Sequence, residues 1–132
     1  MDRTRTCHRI LLIEDNTDSA EAFRTVLEMA GFEVVVAFHG ADALAILRYD
    51  RDFCTILLDL MMPVMDGWAF REAQQRDPVL ADIPVVILSG DGRVADKARQ
   101  MGVADFLAKP PDPGVLVHLI ERHCHTVSVS VH

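Results

Sequence analysis

Cys54-Thr55-Ile56-Leu57-Leu58-Asp59, continued by Leu60-Met61-Met62-Pro63-Val64-Met65-Asp66-Gly67, is the stretch from which the rest of the chain is read. Its first five residues are apolar or β-branched, with no polar alternation between them. A strand exposed on one face would alternate, so this one is covered on both faces, as in a parallel sheet. An acid stands at its end, a proline- and glycine-bearing loop follows, and a helix is expected from Trp68 to about Arg76.

The same cycle repeats outward in both directions. Upstream, His8 to Ile13 is a short apolar run that ends in Glu14-Asp15. Ala22, Phe23, Val26, Leu27 and Ala30 then recur at helical spacing, with Thr17 or Asp18 as the cap and Gly31 just past the end. Residues 32–37 read as a strand and 41–49 as a helix. Downstream, Pro84 to Leu88 is a strand ending at Ser89-Gly90, and Val94 to Met101 is a helix stopped by Gly102. Val103 to Ala108 is a weaker strand ending at Lys109-Pro110-Pro111. A last helix runs from Val115, or from as early as Asp112, to about Cys124. Five strands alternating with five helices predict an α/β fold: a parallel sheet with helices on both faces and right-handed crossovers. The domain is expected to occupy 1–125. The tail, 126–132, alternates like a strand but is expected to fray.

Composition narrows the function classes. The chain has 132 residues, enough for one domain, of which 50% are hydrophobic and 25% charged, so a disordered chain is excluded. A net charge of −7 argues against sequence-independent nucleic-acid binding. No apolar run is long enough to cross a bilayer, and the run after the basic Met1–Arg5 is too short for a signal-peptide core. Cys7, Cys54 and Cys124 are an odd number without a C-x-x-C pair, and read as reduced thiols of a cytoplasmic protein. His118 and His123-Cys124-His125 lack zinc-ligand spacing and read as structural.

Ligands of open α/β sheets bind at the carboxyl ends of the strands. Here those ends carry Glu14 and Asp15, Asp59, Ser89 and Lys109. Carboxylates about 4 Å apart repel by roughly 4 kcal/mol per pair at an effective dielectric near 20, so such a cluster takes up protons, a cation or a metal. Its ligands are all oxygens, which suits a hard ion such as Mg²⁺. With an ammonium and a hydroxyl beside them, they form a site suited to phosphoryl oxygens. No G-x-x-x-x-G-K-[ST] loop is present to bind a nucleotide directly. A carboxylate can itself be the nucleophile, and Asp59, on the middle strand, is placed for that role.

Residues 10–16 (Ile-Leu-Leu-Ile-Glu-Asp-Asn), 57–67, 84–90 and 104–110 (Ala-Asp-Phe-Leu-Ala-Lys-Pro) together resemble a response-regulator receiver domain of two-component signalling, of the single-domain, chemotaxis-regulator-like kind. The resemblance implies a flavodoxin-like sheet in strand order 2-1-3-4-5. It implies that Asp59 is phosphorylated, and that Glu14, Asp15, Asp59 and the backbone carbonyl of Met61 hold Mg²⁺. Ser89 is then the switch hydroxyl, Phe106 the aromatic switch residue and Lys109 the phosphoryl partner, followed by a cis bond to Pro110. The phosphoryl donor is expected to be a phosphohistidine of a sensor kinase or phosphotransferase. Output to a downstream protein is expected through the fourth helix, fifth strand and fifth helix, from a monomer or a weak phosphorylation-dependent dimer.

Several positions depart from the commonest family pattern. Ser89 replaces threonine, Phe106 replaces tyrosine, and Pro111 stands where an apolar side chain is common. Met61 and Asp91 occupy the places that tune phosphoryl lifetime. Two alternatives differ in kind. A pseudo-receiver would only bind partners, but all five site residues are retained. A haloacid-dehalogenase-type phosphatase needs a second aspartate two residues after the nucleophile, where this chain has Met61.

Overall fold

The apolar run that ends at Asp59 is the middle strand of a five-stranded sheet, in a computed structural model that describes residues 4–6, 8–60, 67–90, 93–123 and 126–128. In chain order the elements are β1 (Thr4–Thr6), β2 (Arg9–Ile13), α1 (Thr17–Met29), β3 (Glu33–Ala37), α2 (Gly40–Leu47), β4 (Thr55–Asp59), α3 (Gly67–Arg76), α4 (Pro78–Ala81), β5 (Val85–Ser89), α5 (Val94–Met101), β6 (Asp105–Ala108), α6 (Pro113–His123) and β7 (Thr126–Ser128). The large sheet is parallel throughout, in the order β3-β2-β4-β5-β6. Counted from β2 as the first strand, that is 2-1-3-4-5, the expected flavodoxin-like, doubly wound arrangement.

The period-two geometry of the strands sorts their side chains into two cores. Leu11, Ile13, Ile56, Leu58 and Ile87 pack on one face with Ala43 and Leu47 of α2, Phe70 of α3 and Ala98 and Met101 of α5. Ile10, Leu12, Leu57, Val86 and Leu88 pack on the other with Leu27 of α1 and Leu116 and Ile120 of α6. Every residue of β4 and of β5 is buried, which accounts for their lack of polar alternation.

Four local expectations are corrected. Asn16, not Thr17 or Asp18, caps α1, its side chain accepting from the Ser19 amide at 2.9 Å. A sixth helix, α4, forms a single turn that Asp77 caps and Pro78 starts; four residues carry too little periodicity to announce themselves. Thr126–Ser128 do not fray but pair antiparallel with Thr4–Thr6, a long-range partnership invisible in either segment alone. Cys54 is disulfide-bonded rather than a reduced thiol. Sequence spacing says nothing about cysteine pairing, and Cys7 and Cys124 lie outside the described residues. Among the described residues, no helix is long and apolar enough to cross a membrane.

Candidate functional site

Each strand of the parallel sheet delivers its last side chain to the same edge. Glu14 follows β2, where its amide donates to the Ala37 carbonyl of β3 at 3.0 Å and its side chain is fully buried. Asp59 closes β4 and pairs in register with Leu88, one residue before Ser89 closes β5; Asp59 and Ser89 are both buried. Lys109 follows β6 and is held there by its amide, which donates to the Ser89 carbonyl at 2.9 Å. The peptide bond from Lys109 to Pro110 is cis.

These placements bring together the charges expected at the site. Lys109 Nζ lies 2.6 Å from Glu14 Oε1 and 3.2 Å from Asp59 Oδ2, a single ammonium bridging two buried acids. Oxygens of Glu14, Asp15 and Asp59 lie within 4.8 Å of one another. At that separation two carboxylates oppose each other by ~3 kcal/mol at an effective dielectric near 20. Burial and the neighbouring Asp59 push the Glu14 carboxyl up to about 7, despite the pull of Lys109. Burial disfavours the Lys109 charge, but the bond to Glu14 and the charge of Asp59 outweigh it, so its pKa is raised. The pocket thus holds more negative oxygen than its lysine balances.

That surplus makes a fit for a hard divalent cation. The three carboxylates supply oxygen ligands only, and Asp15 is exposed at the rim, where an ion keeping part of its hydration shell would sit. Met61, whose carbonyl was expected to complete the ligand set, lies outside the described residues, as does Asp91. Phe106 stands on the edge strand β6 and is 40% exposed. His123, expected to be structural, lies on α6 with Nε2 3.5 Å from Asp105 Oδ2.

Two features lie beyond the sequence expectations. The Phe23 ring of α1 lies 6.0 Å from Lys109 Nζ, on the wall of a cavity of about 280 Å³ that is also lined by Val26, Pro110, Pro111 and Leu116. In the sequence Phe23 is one member of a helical apolar stripe, and nothing in the stripe singles it out. Arg71 and Gln74 are buried under α3. Their signal is present in the sequence: Gly67, Phe70, Arg71 and Gln74 occupy one helical face, so a helix poor in apolar residues has to bury two polar ones.

Relatives and solved structures agree with this geometry. The chain is 37% identical over 107 residues to the DNA-binding dual master transcriptional regulator RpaA of Synechocystis sp. (strain ATCC 27184 / PCC 6803 / Kazusa), covering 79% of this chain and 44% of that one. It spans about half the length of the curated relatives it matches first. A signal receiver domain of a signal transduction histidine kinase from Syntrophus aciditrophicus superposes with a TM-score of 0.81 at 30% identity, over 94% of this chain and 98% of that one. The receiver domain of sensor histidine kinase PA1611 from Pseudomonas aeruginosa PAO1, solved with a magnesium ion coordinated in its active site cleft, gives 0.81 at 26% identity, over 89% and 97%. The family profile described as response regulator receiver domain matches residues 10–121, and with the strand order and the acidic pocket already in place, this chain belongs to that family.

Proposed function

We propose that Asp59 accepts a phosphoryl group from a phosphohistidine of a partner kinase or phosphotransferase, and that the acyl phosphate shifts the face formed by α5, β6 and α6. The observation that carries this reading is the position of Lys109 Nζ between Glu14 Oε1 and Asp59 Oδ2. A carboxylate oxygen of Asp59 attacks phosphorus in line. The new P–O bond forms as the P–N bond breaks, and the imidazole leaves neutral, its other ring nitrogen already carrying a proton. Lys109 then has a phosphoryl oxygen to bind in place of the carboxylate oxygen it loses. Glu14, Asp15 and Asp59 would hold Mg²⁺, and the ion would supply charge neutralisation for the transferring group.

Ser89, at the end of the neighbouring strand, donates its hydroxyl to the phosphoryl group, and Phe106 turns inward into the space released. Water attack on phosphorus returns the protein to its resting state, so the domain serves as a signalling switch over residues 1–125, cytoplasmic and monomeric or weakly dimerising when phosphorylated.

Incubation with a small acyl phosphate and Mg²⁺ should add one phosphoryl mass to the wild type and none to Asp59→Asn. Equal labelling of the two proteins overturns the assignment of Asp59. No labelling of the wild type under any Mg²⁺ concentration, with partner binding retained, leaves a pseudo-receiver.

A further inference from the structure

Beneath α3, on the sheet face away from α1 and α6, Arg71 joins three pieces of the molecule. Its Nε donates to the Met101 carbonyl at 3.2 Å and its Nη2 to the Gly102 carbonyl at 2.9 Å, at the carboxyl end of α5. Its Nη1 donates to Gln74 Oε1 at 2.7 Å. Gln74, fully buried, donates from its amide nitrogen to both the Leu80 and Ile83 carbonyls, at 2.7 and 3.1 Å, just ahead of β5. A guanidinium set against the last carbonyls of a helix is favoured twice, by charge-assisted hydrogen bonds and by the helix dipole. Gly102, at φ 65, adopts the left-handed turn that leaves its own carbonyl open to Arg71.

At the other end of α5, Ser89 stands only five residues before Val94, the first residue of the helix. A displacement of Ser89 therefore enters α5 at its first turn, while the last turn is fastened to α3.

The geometry points to Arg71 as a positioning residue that fixes the carboxyl end of α5, so that phosphorylation of Asp59 is expressed as movement of the amino end about that anchor. This rests on the phosphorylation reading for the movement, but not for the anchor. Arg71 touches none of Glu14, Asp15, Asp59, Ser89 or Lys109 among its described bonds, so its loss leaves the phosphoryl chemistry in place.

Hydrogen exchange resolved along α5 tests the proposal, using full-length wild type and Arg71→Met, with and without acetyl phosphate and Mg²⁺. Phosphoryl uptake is measured by mass on the same samples. In the wild type, phosphorylation should change exchange over residues 93–97 and leave 99–103 within about twofold. In Arg71→Met the change should spread to 99–103, while the rate of phosphoryl uptake stays within about twofold of wild type. Without phosphorylation, Arg71→Met should speed exchange over 99–103 by about tenfold or more, and over 93–97 by much less. A general loss of stability would raise both segments alike. Uniform acceleration, an unchanged profile, or a wild-type response as large at 99–103 as at 93–97 overturns the anchor. If the wild type takes up no phosphoryl group, the functional reading falls and the anchor is judged on the unphosphorylated pair alone. Should Arg71→Met not fold, Arg71→Lys, which keeps the charge without the fork, takes its place under the same criteria.

Discussion

At the carboxyl edge of the sheet, Glu14, Asp59 and Lys109 set two acids against one base. Under α3, Arg71 and Gln74 direct their polar atoms at one another and at four backbone carbonyls, without an acid among them. Both groups are buried, but the first gathers more acid than base, whereas the second is held by hydrogen bonds to neutral groups. A network bonded to neutral groups fixes structure; an excess of one charge keeps free energy available for an incoming cation. The difference separates the pocket proposed to accept the phosphoryl group from the part of this receiver domain that holds its shape, and substitutions in the two should differ in sign.

The largest expected effect is on function at the upper cluster. Lys109→Met should slow phosphoryl uptake by a factor on the order of 10³, the cost of losing one preorganised charge at a developing oxyanion. Circular dichroism should stay unchanged. A rate near that of the wild type would show that Lys109 balances charge at rest and contributes nothing in transfer. Next comes stability at the lower cluster. Gln74→Leu removes the bonds to Leu80, Ile83 and Arg71 at once, and denaturant unfolding should show a loss of about 3 kcal/mol. Phosphoryl uptake should be unaffected at temperatures where the variant is folded. A neutral result would mean that water reaches those carbonyls.

The same contrast explains what the sequence made legible. β2, β4 and β5, and the edge to which Glu14, Asp15, Asp59 and Ser89 belong, follow from local apolar runs, because a parallel strand buried on both faces writes its burial into consecutive residues; Lys109 follows the half-exposed β6, whose signal is weaker. Chemistry at strand ends is then a matter of position. Arg71 and Gln74 are not legible in that way: their only signal is the shortage of apolar residues in α3, which forces polar side chains onto its buried face. The pairing of Thr4–Thr6 with Thr126–Ser128 and the disulfide at Cys54 depend on partners far away in the chain, for which three-residue or single-residue signals carry nothing.

A titration sharpens the comparison further. Glu14 has its folded pKa raised from the ordinary 4.5 to about 7, by burial first and by Asp59 second. Below pH 4.5 both folded and unfolded states carry the proton and the group is neutral in its effect. Between 4.5 and 7 the unfolded chain releases the proton first, so it binds fewer protons than the folded state and stability falls as pH rises. In Mg²⁺-free buffer the loss should be on the order of 1–3 kcal/mol across that window, after discounting for the strong coupling to Lys109. Adding Mg²⁺ should restore most of it at about pH 7.5 and little at about pH 5. Stability that rises over the same window without Mg²⁺ would contradict the charge surplus.

The smallest effect is the most discriminating, because its sign depends on pH. Asp59→Asn removes one of the two acids that face Lys109. At about pH 7.5 without Mg²⁺, it relieves a carboxylate repulsion of ~3 kcal/mol and forfeits the weaker of the two lysine contacts, the one at 3.2 Å. The Glu14–Lys109 pair at 2.6 Å remains, so the variant should be more stable than wild type by about 1 kcal/mol. At about pH 5 Glu14 is protonated in the folded wild type, and the repulsion is already gone. Asp59→Asn then loses only its attraction to Lys109, so the gain should vanish or reverse. Because Asp59 is one of the causes that raise the Glu14 pKa, the variant should also flatten the slope between pH 4.5 and 7. Gln74→Leu, measured in parallel, should keep the wild-type slope at a lower stability throughout. If Asp59→Asn instead destabilises equally at both pH values, the upper cluster is as well satisfied as the lower one, and an excess of negative charge is not the source of its reactivity.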